Sequence, residues 1–505
     1  MFRDGARKSI WQSEIKRFED AENEERCFDV AIIGGGITGI SIAYKLQQFG
    51  LKCVILESNN IGYGTTGGTT AHLNDFFDTS YNEAISKFGL ENAKLLYQAG
   101  QEALSLIKNN IQLHQINCDF KQLDAHLFAT DEAQEKQLEE IVEGSNKVGR
   151  KMEFINQIDF PIPFRKAALI SNQAQFHPIK YIKTLADEFI KAGGTIMENC
   201  LCECPSQEAD LVNLETSKGQ FKAEYVVYAT HTPPGISLLH FTTAPYRSYA
   251  LACTLKNGNY PTHLGYDLYD PYHYFRTQEI DGKMLLIVGG EDHKTGHEED
   301  TGIRFSNLEN YCRQYFDVDK VEYTWSSQYY EPADGLPSIG LMPSSDSKIF
   351  VATGFRGNGM IFGSIASVII TDLITKGYSP YAKLFNPKRF KPTAGFSSFV
   401  KENATVVKDL IQDKINMEKI QSLAEIKEGE AKVVSYEGNS YAIYAEKDSH
   451  LHILKSTCPH AHCEVRWNSA EISWDCPCHG SRFNVNGKIL TGPSTSDLTP
   501  LNDEL

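Results

Sequence analysis

Six residues near the N-terminus, Gly34-Gly35-Gly36-Ile37-Thr38-Gly39, restrict the fold of this chain more than any other feature. They follow a short apolar run, Phe28 to Ile33, and precede apolar residues at helical spacing from Ile40 to Phe49, where Gly50 stops the helix. A second apolar run from Lys52 to Leu56 ends at Glu57, followed by Ser58. Strand, glycine turn, helix and strand within about 30 residues is the length that a parallel crossover needs, so the chain opens with an α/β unit. Gly34, Gly36 and Gly39 occupy the three positions of G-x-G-x-x-G. The first permits the tight turn, the second lets the backbone approach a pyrophosphate, and the third allows close helix–strand packing, while the helix start at Ile37 and Thr38 faces the phosphates. Glu57 stands where an acid accepts hydrogen bonds from ribose hydroxyls and repels a 2′-phosphate, which disfavours NADP. The pattern alone does not separate FAD from NAD.

At 505 residues the chain exceeds one hydrophobic core, and roughly 150 residues per domain predicts two or three units. The formal net charge of −16 argues against a sequence-independent grip on nucleic acid or anionic membrane. Met1 to Arg26 lacks the apolar core of a secretory signal. The longest apolar stretch, Met360 to Ile374, is interrupted by Gly363, Ser364, Ser367 and Asp372 and reads as too short and mixed to span a bilayer. The expectation is a cytoplasmic protein, not an integral membrane one.

Between Ala71 and Gly194 the pattern is mostly helical, while Tyr225 to Ala229 and Met284 to Val288 read as buried strands. The long middle is therefore expected to be α/β with an inserted α+β substrate domain. A Pro- and Lys-rich break from Asn386 to Pro392 ends it. Phe396, Phe399, Val400, Val407, Leu410 and Ile411 then share one helical face, predicting a connecting helix. From about Ile426 the chain changes to short strands with Gly and Asn turns, such as Val433 to Tyr436 and Tyr441 to Ala445, which predicts a small all-β module. The expected division is 1–390, a linker at 391–425, and 426–505. Eight of the twelve cysteines read as ordinary buried residues, with Cys200, Cys202 and Cys204 placed on one face of a strand by alternation.

The other four cysteines lie between Cys458 and Cys478. Cys458-Pro459-His460 is followed after fifteen residues by Cys476-Pro477-Cys478-His479. This supplies two thiolates and two imidazoles from two loops, the set a Rieske [2Fe-2S] centre needs because two His replace two Cys on one iron. Zinc also takes Cys and His, but its modules usually arrange them as a Cys pair and a His pair.

Two resemblances extend this reading. Gly64-Thr65-Thr66-Gly67-Gly68-Thr69-Thr70, the strand Val226 to Thr230, Asp334-Gly335-Leu336-Pro337-Ser338-Ile339-Gly340 and Ala352-Thr353-Gly354-Phe355-Arg356-Gly357-Asn358-Gly359-Met360 resemble the D-amino-acid-oxidase-like FAD family over about residues 28 to 385. The resemblance implies a Rossmann-like FAD-binding fold, with Thr65, Thr66, Gly354 and Gly359 near the flavin. Relatives often carry an arginine shortly before the D-G-L-P segment to hold a substrate carboxylate, where this chain has Tyr329 and Tyr330. Some relatives attach FAD through a histidine in the early Thr/Gly loop. Here Gly68 stands at that place with His72 four residues on, so non-covalent FAD is expected. The C-terminal end resembles the Rieske family, including Gly480-Ser481-Arg482-Phe483 and Gly492-Pro493. That resemblance implies Cys458 and Cys476 on one iron, His460 and His479 on the other, a Cys463–Cys478 disulfide tying the loops, and a Ser481 hydroxyl on a cluster sulfide. Phe483 stands where a tyrosine hydroxyl is common, which should lower the potential, and His462 is expected to be solvated.

A flavin accepts two electrons and can release them singly, whereas the cluster carries one at a time. Together they suggest a dehydrogenase that oxidises a C–N bond of an amine or amino-acid derivative and passes electrons through the cluster to an acceptor protein or quinone. Arg356, Arg247 and Arg276 are candidate carboxylate partners, and His273 is a candidate proton handler. The alternative is an electron-transfer component without an organic substrate of its own. A nicotinamide-linked version would need a second dinucleotide fold, and Val288-Gly289-Gly290-Glu291 does not open a helix. A Rieske oxygenase is disfavoured because no 2-His-1-carboxylate pattern is apparent.

Overall fold

The computed structural model describes residues 5–14, 18, 25–208, 210–343, 348–389, 417–422, 425–447 and 450–501. The glycine turn sits at the centre of an eight-stranded sheet. Its main path runs Ser338–Leu341, Ile349–Thr353, Gly219–Tyr228, Cys27–Ile33, Cys53–Leu56 and Thr195–Met197. From Ile349–Thr353 onward these strands pair in parallel. Both faces are covered, which is why Cys53–Leu56 is apolar and buried at every position instead of alternating. The helix Ile37–Gln48 packs on one face with the helix Gly359–Lys376.

The Gly359–Lys376 helix corrects one expectation. By length and composition it is able to cross a membrane, with mean hydropathy 1.4, although the sequence reads as too mixed for that. Its residues from Met360 to Thr371 are all buried inside the protein, and the Ser364 hydroxyl donates to the Met360 carbonyl, so the helix is spent on the core.

A nine-stranded sheet forms the second layer, in the order Val318–Pro332, Thr243–Leu255, Lys283–Lys294, Tyr274–Ile280, Leu264–Asp267, Lys121–Ala129, Lys166–Gln175 and His72–Leu73, with Met152–Ile155 beside Lys166–Gln175. Two of its long strands, Lys121–Ala129 and Lys166–Gln175, lie inside the region expected to be mostly helical. Helices Leu90–Leu113, Glu132–Lys147 and Pro178–Lys191 account for the helical signal there. The first strand alternates only from Gln122 to Leu127, a short signal beside the long helical ones, and Ser171, Asn172 and Gln173 interrupt the second. Val288 to Glu291 lie within the strand Lys283–Lys294.

The C-terminal module holds two four-stranded sheets, one from Glu418–Lys419 to Leu451–Lys455 and one from Arg466–Asn468 to Ile489–Thr491. Glu418–Lys419 pairs with Ala431–Tyr436, so its first sheet starts before Ile426. The helix expected over Phe396 to Ile411 lies outside the described residues. Among the eight dispersed cysteines, Cys27 and Cys204 are exposed, not buried. Cys200, Cys202 and Cys204 do not share a strand face: only Cys202 makes an isolated bridge, to Thr216, and the next strand begins at Ser206.

The module is docked on the end of the nine-stranded sheet. Thr301 and Ser326 hydrogen-bond to Asn468 and Glu471, Arg466 donates to the Gly296 carbonyl, and the Arg7 side chain donates to the Ala470 carbonyl. Gly296, at φ +75°, is required here, since a Cβ would meet the Pro477 backbone at 3.0 Å.

Candidate functional site

A cavity of about 1010 Å³ runs from the glycine turn between the two large sheets. That is at the upper end of ordinary ligand pockets and large enough for an elongated cofactor with a substrate beside it. At one end Gly34, Gly36, Ile37 and Thr38 line the wall with Glu57 and Ser58. Gly34 has φ +108°, and a Cβ there would fall 2.5 Å from the Ala229 carbonyl. Gly36 caps the helix start, whose Ile37 N–H donates to the Thr66 hydroxyl at 3.0 Å. Glu57 accepts from the Gly35 N–H at 2.7 Å and the Asn59 N–H at 2.8 Å, while burial pushes its carboxyl up. Thr65, Thr66 and Gly359 also line the cavity. Gly39 and Gly354 do not: Gly39 lies against the Gly34 carbonyl and serves helix–strand packing, and Gly354 packs near Pro332. An open, Cβ-free cradle at a helix N-terminus, continuous with a long cavity, fits a dinucleotide. His72 has both ring nitrogens engaged, with the Thr70 hydroxyl and the Phe275 carbonyl.

The far end of the cavity is aromatic and acidic. Tyr266, Tyr272, Tyr274 and Tyr329 line it with Asp78 and Asp292. The Tyr329 hydroxyl donates to Asp292 at 2.9 Å, and Tyr272 donates to Asp78 at 3.3 Å. Burial, with the Asp78 and Glu331 charges adding to it, pushes the Asp292 carboxyl up to about 7. Of the candidate carboxylate partners, only Arg356 lines the cavity, and it is held by Glu331 at 3.2 Å and Thr79 at 3.0 Å. Arg247 is buried toward the C-terminal module, donating to Ser326 at 2.5 Å. Arg276 is buried against the carbonyls of Thr70, Ala71 and Phe176. His273 is paired with Asp267 at 2.8 Å and stacked on Tyr311, outside the lining. Nothing in residue spacing singled out Asp78 or Asp292. Tyr329 was visible only as a departure from an expected arginine.

The second centre lies where the C-terminal module meets the cavity wall. Cys458, His460, Cys476 and His479 are all buried in two facing loops. The Cys458 and Cys476 sulfurs share a hydrogen bond, which lowers the Cys458 thiol and raises that of Cys476, and the Ser481 hydroxyl hydrogen-bonds to Cys458. The His460 and His479 rings are 4.9 Å apart. His460 Nε2 bonds the Gly235 carbonyl at 3.0 Å, which leaves Nδ1 as the bare acceptor. That Nδ1 and both nitrogens of His479 are buried without a hydrogen-bond partner. Orphaned imidazole nitrogens beside paired thiols are costly unless a metal takes the lone pairs, so this donor set fits a cluster. Cys463 and Cys478 form a disulfide across the loops, and His462 is exposed. Phe483 is fully buried.

The two centres adjoin. His240 packs against His460 and His479, with ring centroids 4.8 and 5.7 Å away. The Tyr330 hydroxyl donates to the His479 carbonyl at 3.2 Å, and Gln328 donates to the Gly480 carbonyl at 2.9 Å. Tyr330 also meets the His231 ring at 4.8 Å, and His231 contacts the Thr65 hydroxyl at 3.3 Å in the cavity wall. Sequence reasoning missed His231, His240 and Gln328, which carry no spacing signature.

Comparison with known proteins agrees with this geometry. Residues 29–373 match the FAD dependent oxidoreductase family, and residues 416–502 match the Rieske [2Fe-2S] domain. A Bacillus subtilis protein named as a Rieske 2Fe-2S iron-sulfur protein, YhfW, is 33% identical over 98% of this chain and 97% of its own length. The gamma-glutamylputrescine oxidoreductase of Escherichia coli is 26% identical over 70% of this chain and 85% of its own. The crystal structure of glycine oxidase from Geobacillus kaustophilus superposes with a TM-score of 0.61 at 19% identity, covering 72% of this chain and all of that one, which shows the shared fold. The chain belongs to the FAD dependent oxidoreductase family, and it carries a Rieske [2Fe-2S] domain.

Proposed function

We propose that this FAD-dependent, Rieske-bearing oxidoreductase is a dehydrogenase that oxidises a C–N bond of an amine or amino-acid derivative and passes the electrons through its cluster to an external acceptor, a protein or a quinone. The substrate R₂CH–NH–R′ becomes the imine R₂C=N–R′ with release of two electrons and two protons, and water then hydrolyses the imine. Bound FAD supplies a two-electron acceptor able to release electrons singly to a one-electron centre. In this reading Gly34, Gly36, Ile37, Thr38, Glu57, Ser58, Thr65, Thr66 and Gly359 hold FAD non-covalently. Gly39 and Gly354 shape the backbone beneath it. Cys458 and Cys476 hold one iron, and His460 and His479 hold the other. Arg356 helps shape the substrate end, and the place of His273 outside the lining argues against its handling the substrate proton.

The observation that carries the reading is the contact between centres. The loop bearing His479 is hydrogen-bonded to Tyr330, whose ring meets His231 on the cavity wall, so a short protein path separates cavity and cluster site. The name of the Escherichia coli relative, an oxidoreductase of gamma-glutamylputrescine, supports an amine substrate. Anaerobic mixing with secondary and primary amines, NADH and NADPH tests the reading, following flavin absorbance and the reduced-cluster magnetic resonance signal together. Amines should bleach the flavin and then reduce the cluster. Bleaching by nicotinamides alone would overturn the amine assignment, and a flavin that reduces beside an unchanging cluster would overturn the relay.

A further inference from the structure

We propose that the tyrosine-lined end of the cavity recognises a second, distal ammonium group, so that the substrate class is a di- or polycationic amine, with Asp292 the residue that selects it. The inference rests on the reading of the cavity as an amine-oxidising site and names its substrate class. Four phenol rings, of Tyr266, Tyr272, Tyr274 and Tyr329, share this end with Asp78 and Asp292. A cation gains from both the carboxylates and the ring faces, whereas an anion gains from neither.

The hydrogen bonding at this end shows which donor is missing. Asp292 accepts the Tyr329 hydroxyl on Oδ2 and lies beside the Ser248 hydroxyl, but its Oδ1 is shielded from solvent without a well-aligned donor. A buried carboxylate oxygen without a donor is costly, and an ammonium N–H supplies both the donor and the countercharge. Asp78 is different: it already accepts from Tyr272 and, at 2.7 Å, from the Gly357 N–H, so it adds charge without lacking a donor.

The same geometry disfavours a carboxylate at this position. Arg356 is the single arginine among the described lining residues, and its two terminal nitrogens are engaged by Thr79 and Glu331, while its Nε is buried without an acceptor. A substrate carboxylate would compete with Glu331 for the outer face of this guanidinium and lie near Asp78 and Asp292. The strand position before the D-G-L-P segment holds Tyr329, whose hydroxyl points to Asp292 and is committed to it. This end is therefore built for positive charge.

The test uses purified holoenzyme and a series of α,ω-diamines of three to six carbons, each with the matching n-alkylamine and ω-amino acid. The three ligands of a set differ only in the distal group: ammonium, methyl or carboxylate. Dissociation constants are read anaerobically from flavin absorbance and by calorimetry. At the best chain length the diamine should bind at least tenfold more tightly than the alkylamine and about a hundredfold more tightly than the amino acid. Asp292→Asn should weaken the diamine tenfold or more and the alkylamine less than twofold, with partial recovery in Asp292→Glu. An amino acid that binds as tightly as the diamine, equal loss of both amines in Asp292→Asn, or no binding of any diamine overturns the proposal. The comparison on the unaltered holoenzyme decides the matter should Asp292→Asn fail to fold. Failure of the underlying reading looks different: selective diamine binding with a flavin that stays oxidised leaves the recognition site standing and removes the amine-dehydrogenase assignment.

Discussion

The cluster site and the cavity are built in opposite ways. All four proposed iron ligands come from 22 residues in two loops, tied by one disulfide, with His460 Nδ1 and both His479 nitrogens buried without a protein hydrogen-bond partner. The cavity instead draws its wall from segments between Ile33 and Asp497 and keeps about 1010 Å³ open. A local, rigid site holds one ligand set and tolerates no change. A distributed, open one separates cofactor grip from substrate choice, so each is alterable alone.

The largest effects should come from destroying either half of that contrast. Cys476→Ser should abolish the iron–sulfur absorbance and magnetic resonance signal while flavin content stays near one per chain. Gly34→Val should do the reverse, because a side chain at φ +108° and 2.5 Å from a carbonyl closes the cradle. Loss of both cofactors in either variant would show that the two sites do not fold independently. Next in size is Gly296→Val, which drives a side chain into Pro477 and should slow flavin-to-cluster electron transfer at least tenfold with both cofactors retained. Stopped-flow reduction by substrate measures this.

The pH dependence sharpens the contrast further. With its carboxyl lifted to about 7, Asp292 is neutral below that pH and anionic above it. The groups facing it are Tyr329, Tyr272, Tyr274, Asp78, Glu331 and, beyond them, Arg356. Affinity for a diamine should therefore rise about tenfold from pH 6 to 8, following the ionised fraction of one carboxyl, and this rise should vanish in Asp292→Asn. The smallest effect is expected from Tyr330→Phe. Losing one net hydrogen bond of about 0.5–1.5 kcal/mol to the His479 loop should slow transfer only a few-fold and leave flavin reduction unchanged.

Much of the site was legible before any coordinates. The glycines at 34, 36 and 39 and the Cys-x-His and Cys-x-x-His pairs are short patterns whose function depends on neighbours a few residues away, so spacing carries them. The strands Lys121–Ala129 and Lys166–Gln175 were not legible, because the first alternates over only six residues, Gln122 to Leu127, and the second is interrupted by Ser171, Asn172 and Gln173, so their pairing with each other, distant in sequence, is what makes them strands. The run from Cys200 to Cys204 failed for a related reason. Alternation describes a strand only where a ladder forms, and there the chain makes one isolated bridge.

The amino-acid sequence by itself determined the class of each cofactor site: a dinucleotide cradle of glycines ending in an acid, with FAD implied by family resemblance, and two thiols with two imidazoles in paired loops. These rest on backbone conformation and ligand type, which local residues set. Only the tertiary structure decided that Tyr330 joins the loop of His479 to the cavity wall, and that Asp292, Asp78 and four tyrosines converge with an already paired arginine. Electrostatics and electron transfer depend on distance in space, and residues brought together from Asp78, Asp292 and Tyr329 have no common spacing from which that distance is readable.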